Sequence, residues 1–164
     1  MFWVKNTIYA LFLIVLFFAV SNDLEAQDVN HIRTAYNALK TGNYSAAIDN
    51  YTKAIEINDT YAPSFFGRGL AYYHLENYNE AVKNFRKAIE LDNNNAEFYY
   101  SLGLCYSKKG NNQLAVKNYS NAIKYDNKYK EAYYARGNMY YYMEEDEKAL
   151  SDYNSALAID PQYD

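Results

Sequence analysis

The sequence holds a single cysteine, two histidines, two prolines and six glycines among 164 residues, and each scarcity closes a class of function. One thiol, Cys105, rules out an internal disulfide and any paired-cysteine zinc or redox motif. His31 and His74 stand apart from each other and from Cys105, with no carboxylate at metal-ligand spacing, so no metal site is expected. The chain contains no G-x-S-x-G, no P-loop and no H-E-x-x-H. No catalytic residue, cofactor site or enzymatic activity is therefore expected. The run Glu144-Glu145-Asp146-Glu147 suits a helix N-terminus and does not specify the oxygen cage that calcium requires. Basic residues are outnumbered, 16 against 20, for a net charge of -4, and no run of Lys or Arg appears. Nucleic-acid binding needs a basic patch to neutralise phosphates, so nucleic acid is not an expected partner. Pro/Gly/Ser-rich linkers are also missing.

What the chain has instead is tyrosine: 21 residues, beside eight phenylalanines. The tyrosine side chain joins an apolar ring to a polar hydroxyl and serves equally in a packed interface and in a half-wet binding surface. The one long apolar run lies near the start, where Ile8–Val20 gives 13 unbroken apolar or aromatic residues behind Lys5. That length falls within the roughly 7–15 of a signal-peptide core and below the roughly 17–25 of a membrane-spanning helix. Small residues place cleavage after Ser21 or after Ala26. The second site is favoured, because a repeat register begins at Asp28. Residues 1–26 are thus expected to be a signal peptide, with an uncleaved anchor lengthened by Phe2, Trp3 and Val4 as the alternative. In either case the remainder is expected to be exported, to a periplasm, cell envelope or medium. Any membrane attachment runs through that segment alone.

From Asp28 onward the chain repeats itself every 34 residues without a gap, over 28–61, 62–95, 96–129 and 130–163. A period of this size marks a stacked-repeat architecture. Each copy reads as two helical patterns joined by a short polar turn. First helices are expected near 28–41, 62–75, 96–109 and 130–143, and second helices near 45–57, 79–91, 113–125 and 147–159. Position 8 is small (Ala35, Gly69, Gly103, Gly137), position 20 is alanine (Ala47, Ala81, Ala115, Ala149) and position 27 is alanine (Ala54, Ala88, Ala122, Ala156). Aromatics fill position 24 (Tyr51, Phe85, Tyr119, Tyr153) and, beyond the first copy, position 11 (Tyr72, Tyr106, Tyr140). On these residues the chain resembles the tetratricopeptide repeat family from Asp28 to Tyr163. The first copy is the weakest match, with His31, Thr34 and Ala38 where larger or apolar residues belong. The resemblance implies an all-α fold, a right-handed α-solenoid of four helix–turn–helix repeats. Arg68 and Arg136 occupy position 7, normally apolar, and are expected to pair with Asn84 and Asp152 within their own repeats.

The resemblance further implies a concave face lined by first helices, with positions 2, 5, 9 and 12 pointing inward. Here position 5 carries Ile32, Phe66, Tyr100 and Tyr134, and position 9 carries Tyr36, Leu70, Leu104 and Asn138. Position 12 carries Leu39, Tyr73, Ser107 and Tyr141. Ile32, Tyr36, Phe66, Leu70, Tyr73, Tyr100, Leu104, Tyr134, Asn138 and Tyr141 are the candidate contacts for a protein or peptide partner. Rigid tyrosines give large contact area at low entropy cost. Phe66, Leu70 and Tyr73 are expected to be free of any duty in the stack. Val29, Ile32, Tyr36 and Leu39 form an amphipathic stripe, so the first helix either leans into the groove or caps the array.

One family specialisation fails. Members that grip the carboxyl terminus of a cytosolic chaperone need Lys and Asn at positions 5 and 9, Asn at 6 of the next repeat, then Lys and Arg at 2 and 6. The two possible windows offer Ile32, Tyr36, Gly67, Glu97 and Ser101, or Phe66, Leu70, Ser101, Glu131 and Ala135. The alternative to a binding scaffold is self-association into a homo-oligomer through Ala156, Leu157 and Ile159 of the last helix.

Overall fold

The computed structural model describes residues 27–162; the signal-peptide expectation lies outside them. The described residues form eight α-helices: α1 (27–40), α2 (Tyr44–Ile57), α3 (Ala62–His74), α4 (Tyr78–Leu91), α5 (Ala96–Lys108), α6 (Asn112–Tyr125), α7 (Lys130–Tyr142) and α8 (Asp146–Ile159). None of these is long and apolar enough to cross a membrane. Each helix packs on its chain neighbours, and α3 also touches α5, the arrangement of an α-solenoid.

Second helices start one residue earlier than expected, because the cap sits at position 16. Asn43, Asn77 and Asn111 accept the backbone N–H of Ala46, Glu80 and Leu114 through their side chains. The turn before each cap is the same throughout. The N–H of position 16 donates to the carbonyl of position 11 at 2.8–2.9 Å, from Asn43 to Ala38, Asn77 to Tyr72, Asn111 to Tyr106 and Glu145 to Tyr140. This closure drives position 15 into the left-handed region. Gly42 and Gly110 adopt it freely at φ 77° and 72°, whereas Glu76 and Glu144 are forced into it at 58° and 61°.

The stack closes on position 24. A methyl group on Gly69, Gly103 or Gly137 would sit 2.6–2.7 Å from the ring of Phe85, Tyr119 or Tyr153 in the same repeat. Gly67 is tighter still: a Cβ there would fall against the Tyr51 ring of the preceding repeat, well inside van der Waals contact. Phe85, Leu102, Tyr106, Tyr119 and Met139 form the main core across the last three repeats, with Cys105 fully buried among them. Burying a side chain of this size contributes about 1.5–3 kcal/mol. Smaller clusters join Ala35, Ala47, Tyr51 and Ala71 near the start, and Ala62, Phe65, Ala88 and Phe98 between α3, α4 and α5. Position 10 of α3, α5 and α7 (Ala71, Cys105, Met139) is buried. On α1 the same position is Asn37, exposed together with Asn30 and Arg33, so the outer side of α1 is polar.

The two position-7 arginines pair as expected, and they also reach further. Arg136 Nε and Nη2 donate to both carboxylate oxygens of Asp152 at 2.7 Å, while Nη1 donates to Ser120 of the preceding repeat at 2.9 Å. Arg68 Nε donates to Asn84 at 2.8 Å and Nη1 to Thr52 of the preceding repeat at 3.1 Å. Both side chains therefore tie a repeat to its predecessor as well as bracing the repeat itself.

Candidate binding groove

Two cavities lie on the first-helix face. The first, about 640 Å³, opens at the N-terminal end, where Val29, Ile32, Arg33 and Tyr36 of α1 face Asn58 and Tyr61 of the α2–α3 turn. Tyr36 is 53% exposed, and α1 packs through Ala35, Ala38 and Leu39 instead. This helix thus presents Val29, Ile32 and Tyr36 to the first cavity and leaves the groove open at its end. The second cavity, about 260 Å³, lies between α3, α5 and the α6–α7 turn. It gathers Leu70, Tyr73, Tyr100 and Leu104 with His74, Glu97 and Tyr129. Burial raises the pKa of the Tyr73 and Tyr129 phenols, and for Tyr129 the charge of Glu97 adds to the effect. Glu97 is exposed at the rim.

The remaining candidates lie outside these two cavities. Phe66 is half-buried and packs 5.5 Å from Phe85 and 4.7 Å from Phe98, centroid to centroid. It belongs to the stack, as do Leu70 and Tyr73, which pack against the same core. The expectation that these three stand apart from the stack is corrected, because a ring at position 5 is long enough to reach the position-24 ring below it. Tyr100 and Tyr134 do likewise, 5.7 Å from Tyr119 and Tyr153. Asn138 Oδ1 accepts the Tyr153 hydroxyl at 2.9 Å. Tyr141 is exposed beside Tyr142. His74 stacks flat on Tyr44 at 4.8 Å, on the edge of the same face.

Two groove residues escaped the sequence reading, Tyr61 and Tyr129. Both hold position 34, which sits outside the first helices. The one visible signal was that tyrosine stands there in the first, third and fourth repeats (Tyr61, Tyr129, Tyr163) but asparagine in the second. Chemically the face is apolar and aromatic, edged by hydroxyls and a carboxylate. Among the described residues no group of His, Cys, Asp and Glu is placed to hold a metal ion. Burial pushes the Cys105 thiol up to about 12, which keeps it protonated and unreactive.

No curated protein matches the chain in sequence. Among solved structures, the MamA protein superposes with a TM-score of 0.77 at 26% identity, over 82% of this chain and 74% of that one. An Arabidopsis OM64 TPR domain gives 0.68 at 23% identity, over 71% and 95%. The second TPR of Spaghetti (RPAP3), bound to the HSP90 peptide SRMEEVD, gives 0.59 at 24%, over 60% and 92%. The last two likenesses carry the fold alone. The TPR repeat model matches residues 38–75, 69–110 and 106–143, and the tetratricopeptide repeat model matches 131–163. The chain belongs to the tetratricopeptide repeat family.

Proposed function

We propose that this array is a non-catalytic scaffold that binds a segment of another protein along its first-helix face, in an exported compartment. The observation that carries the reading is the continuity of that face. Two apolar cavities lie on it, and exposed tyrosines extend it from Tyr36 to Tyr141. A concave, largely apolar surface with a few convergent polar groups is the usual form of a recognition site. The RPAP3 structure supplies a precedent for a peptide held by this fold. That peptide is acidic, whereas Glu97 sits on the first-helix face here, so a different ligand is in view. Export is supported by the Ile8–Val20 run alone. Amino-terminal sequencing of the protein from its source tests it, and a terminus still at Met1 removes cleavage.

The groove is tested by photo-crosslinking. Benzoylphenylalanine at Tyr36 or Tyr141 should capture a partner, and the same label at Lys83 or Lys117, on the exposed sides of α4 and α6, should not. Equal capture from both sets removes the groove reading. Substituting Phe66, Tyr100 and Tyr134 together is a poor test, since all three rings support the core.

A second reading, self-association, has its own observation. Leu150, Leu157 and Ile159 of α8 are 62%, 44% and 36% exposed, whereas Val82, at the register of Leu150, is buried beneath the next repeat. Ala156 is buried within its own repeat and contributes nothing, a correction to the expected face; Leu150 takes its place. Sedimentation equilibrium at micromolar concentration decides this reading, and a clean monomer ends it.

A further inference from the structure

The two cavities are one design used twice. Ile32, Tyr36 and Tyr61 line the first, and Tyr100, Leu104 and Tyr129 line the second; these are positions 5, 9 and 34, displaced by two repeats. The same double period appears in the turns, with glycine at position 15 in repeats one and three and glutamate in two and four. It also appears in the arginines, which stand at position 7 in repeats two and four.

Position 34 is where the two cavities share a tyrosine, and the Tyr129 ring also packs 4.9 Å from Tyr100. This position is the N-cap of the following first helix. In repeat two Asn95 fills it and accepts the Glu97 N–H at 3.0 Å, as an N-cap should. Tyr61 and Tyr129 precede α3 and α7 with no side-chain cap bond at all. Replacing a capping asparagine by a residue that cannot cap weakens a helix. At both of these helix starts the position-34 ring lines a cavity. α8 also starts without a side-chain cap, at Glu145, so the link to a binding role rests on the cavity lining and not on the missing cap alone.

The charges say what kind of group enters. Glu97 lines the second cavity, and Asp126 and Glu131 lie close enough to act on Tyr129. His74 is the one basic side chain in that lining, and it is stacked on Tyr44. In the first cavity Arg33 is engaged with Asn30 at 3.0 Å. There Asp28 Oδ1 is shielded from solvent with no hydrogen-bond donor among the described residues.

We propose that Tyr61 and Tyr129 wall two copies of one anchor subsite, occupied by a segment of a partner polypeptide that places an apolar side chain in each and a lysine or arginine beside Glu97. The proposal rests on the groove reading above and narrows it to a partner of apolar and basic character. Two dipeptides test it, N-acetyl-Phe-Lys-amide and N-acetyl-Phe-Glu-amide, titrated into the isotopically labelled full chain and followed by amide chemical shifts. The lysine dipeptide should shift Leu104 and Tyr129 and bind about two- to five-fold more tightly than the glutamate one, as expected for a rim-exposed ion pair. Glu97→Gln should erase that difference and leave the apolar contact. Tyr61→Ala loses no side-chain cap, should keep the fold intact and should remove only the responses around Ile32 and Tyr36. Equal affinity for the two dipeptides, shifts scattered off the two cavities, or no shifts at all would overturn the proposal. Crosslinking from Tyr36 and Tyr141 can succeed in any of these events, so the two readings fail separately.

Discussion

The Arg86 guanidinium donates to the Tyr106 hydroxyl at 2.7 Å, across the junction between the second and third repeats. The other two junctions are bridged from the opposite side. Arg68 and Arg136 reach back from position 7 to Thr52 and Ser120, whereas Arg86 reaches forward from position 25. In the third repeat position 7 is Leu102, buried in the core, so the cation comes from the preceding repeat instead. Every junction between described repeats therefore carries one guanidinium. Arginine suits the place because its planar fork spans two partners at once.

The fourth repeat depends most on this arrangement. Asp152 is buried and bound at both oxygens by Arg136, whose own pKa is raised by that hydrogen bond. Asp152→Ala should cost about 3–5 kcal/mol, since it strands a largely buried cation. Asp152→Asn recreates the Arg68–Asn84 pairing and should cost about 1–2 kcal/mol. Urea unfolding of the two variants checks the order; equal losses would show that the second carboxylate oxygen and the charge are immaterial.

Strain at position 15 gives a change of opposite sign. Glu76 and Glu144 hold a left-handed conformation that glycine takes without a Cβ penalty. Glycine also loosens the unfolded chain, which offsets part of the gain. Glu76→Gly and Glu144→Gly should each stabilise the chain by about 0.5–1 kcal/mol. The effects should add, because the two turns lie in different repeats. Midpoints that fall in urea would show that the glutamate side chains hold the turns.

At Gly67 the outcome is steric. A methyl group there meets the Tyr51 ring, and Tyr51 is itself buried between repeats one and two. Gly67→Ala should cost about 1–3 kcal/mol through overpacking, even though alanine is the better helix former. The double variant Gly67→Ala/Tyr51→Ala should show coupling, with a smaller loss than the sum of the single changes. Simple additivity would place the Tyr51 ring elsewhere.

Alkali should unfold the protein cooperatively. Burial raises the Tyr51 pKa to about 12, and burial also raises the Tyr119 and Tyr129 phenols. The folded chain therefore holds these phenols in the neutral form, while the unfolded chain releases their protons near 10. Their contribution is fully present below pH 10 and is lost as pH rises from about 10 through about 12. Helical circular dichroism and phenolate absorbance should change together in that window. Tyr51→Phe should move the transition to higher pH. Complete phenol ionisation with the helices still intact would show that the buried rings titrate without opening the stack.

The helices and their order were legible because close helix approach restricts residue type. Positions 8, 20 and 27 must be small and position 24 must be a ring, so each repeat writes the same letters at the same places. The partners of Arg68 and Arg136 within a repeat were legible for the same reason: they face each other across one hairpin. Contacts across a junction were not. Whether Arg136 also reaches Ser120, or Phe66 touches Phe98, depends on side-chain length and on the angle between repeats, which no spacing records. The turn glutamates Glu76 and Glu144 look like ordinary polar turn residues until the closing hydrogen bond fixes their φ. Tyr61 and Tyr129 were missed because attention to inward-facing helix positions passes over the residue that caps the helix.

Cys105 sits where the second and third repeats meet, closed in by Phe85, Tyr106 and Tyr119. A modifying reagent reaches its sulfur only when that seam parts, and the thiol must then ionise in open water before it reacts. The array thus carries its own clock: the rate at which Cys105 is alkylated counts how often its middle opens. In oxidising surroundings the same seal lets a protein with one cysteine remain unlinked to its neighbours, and a copy that has become cross-linked through Cys105 is one that has come apart.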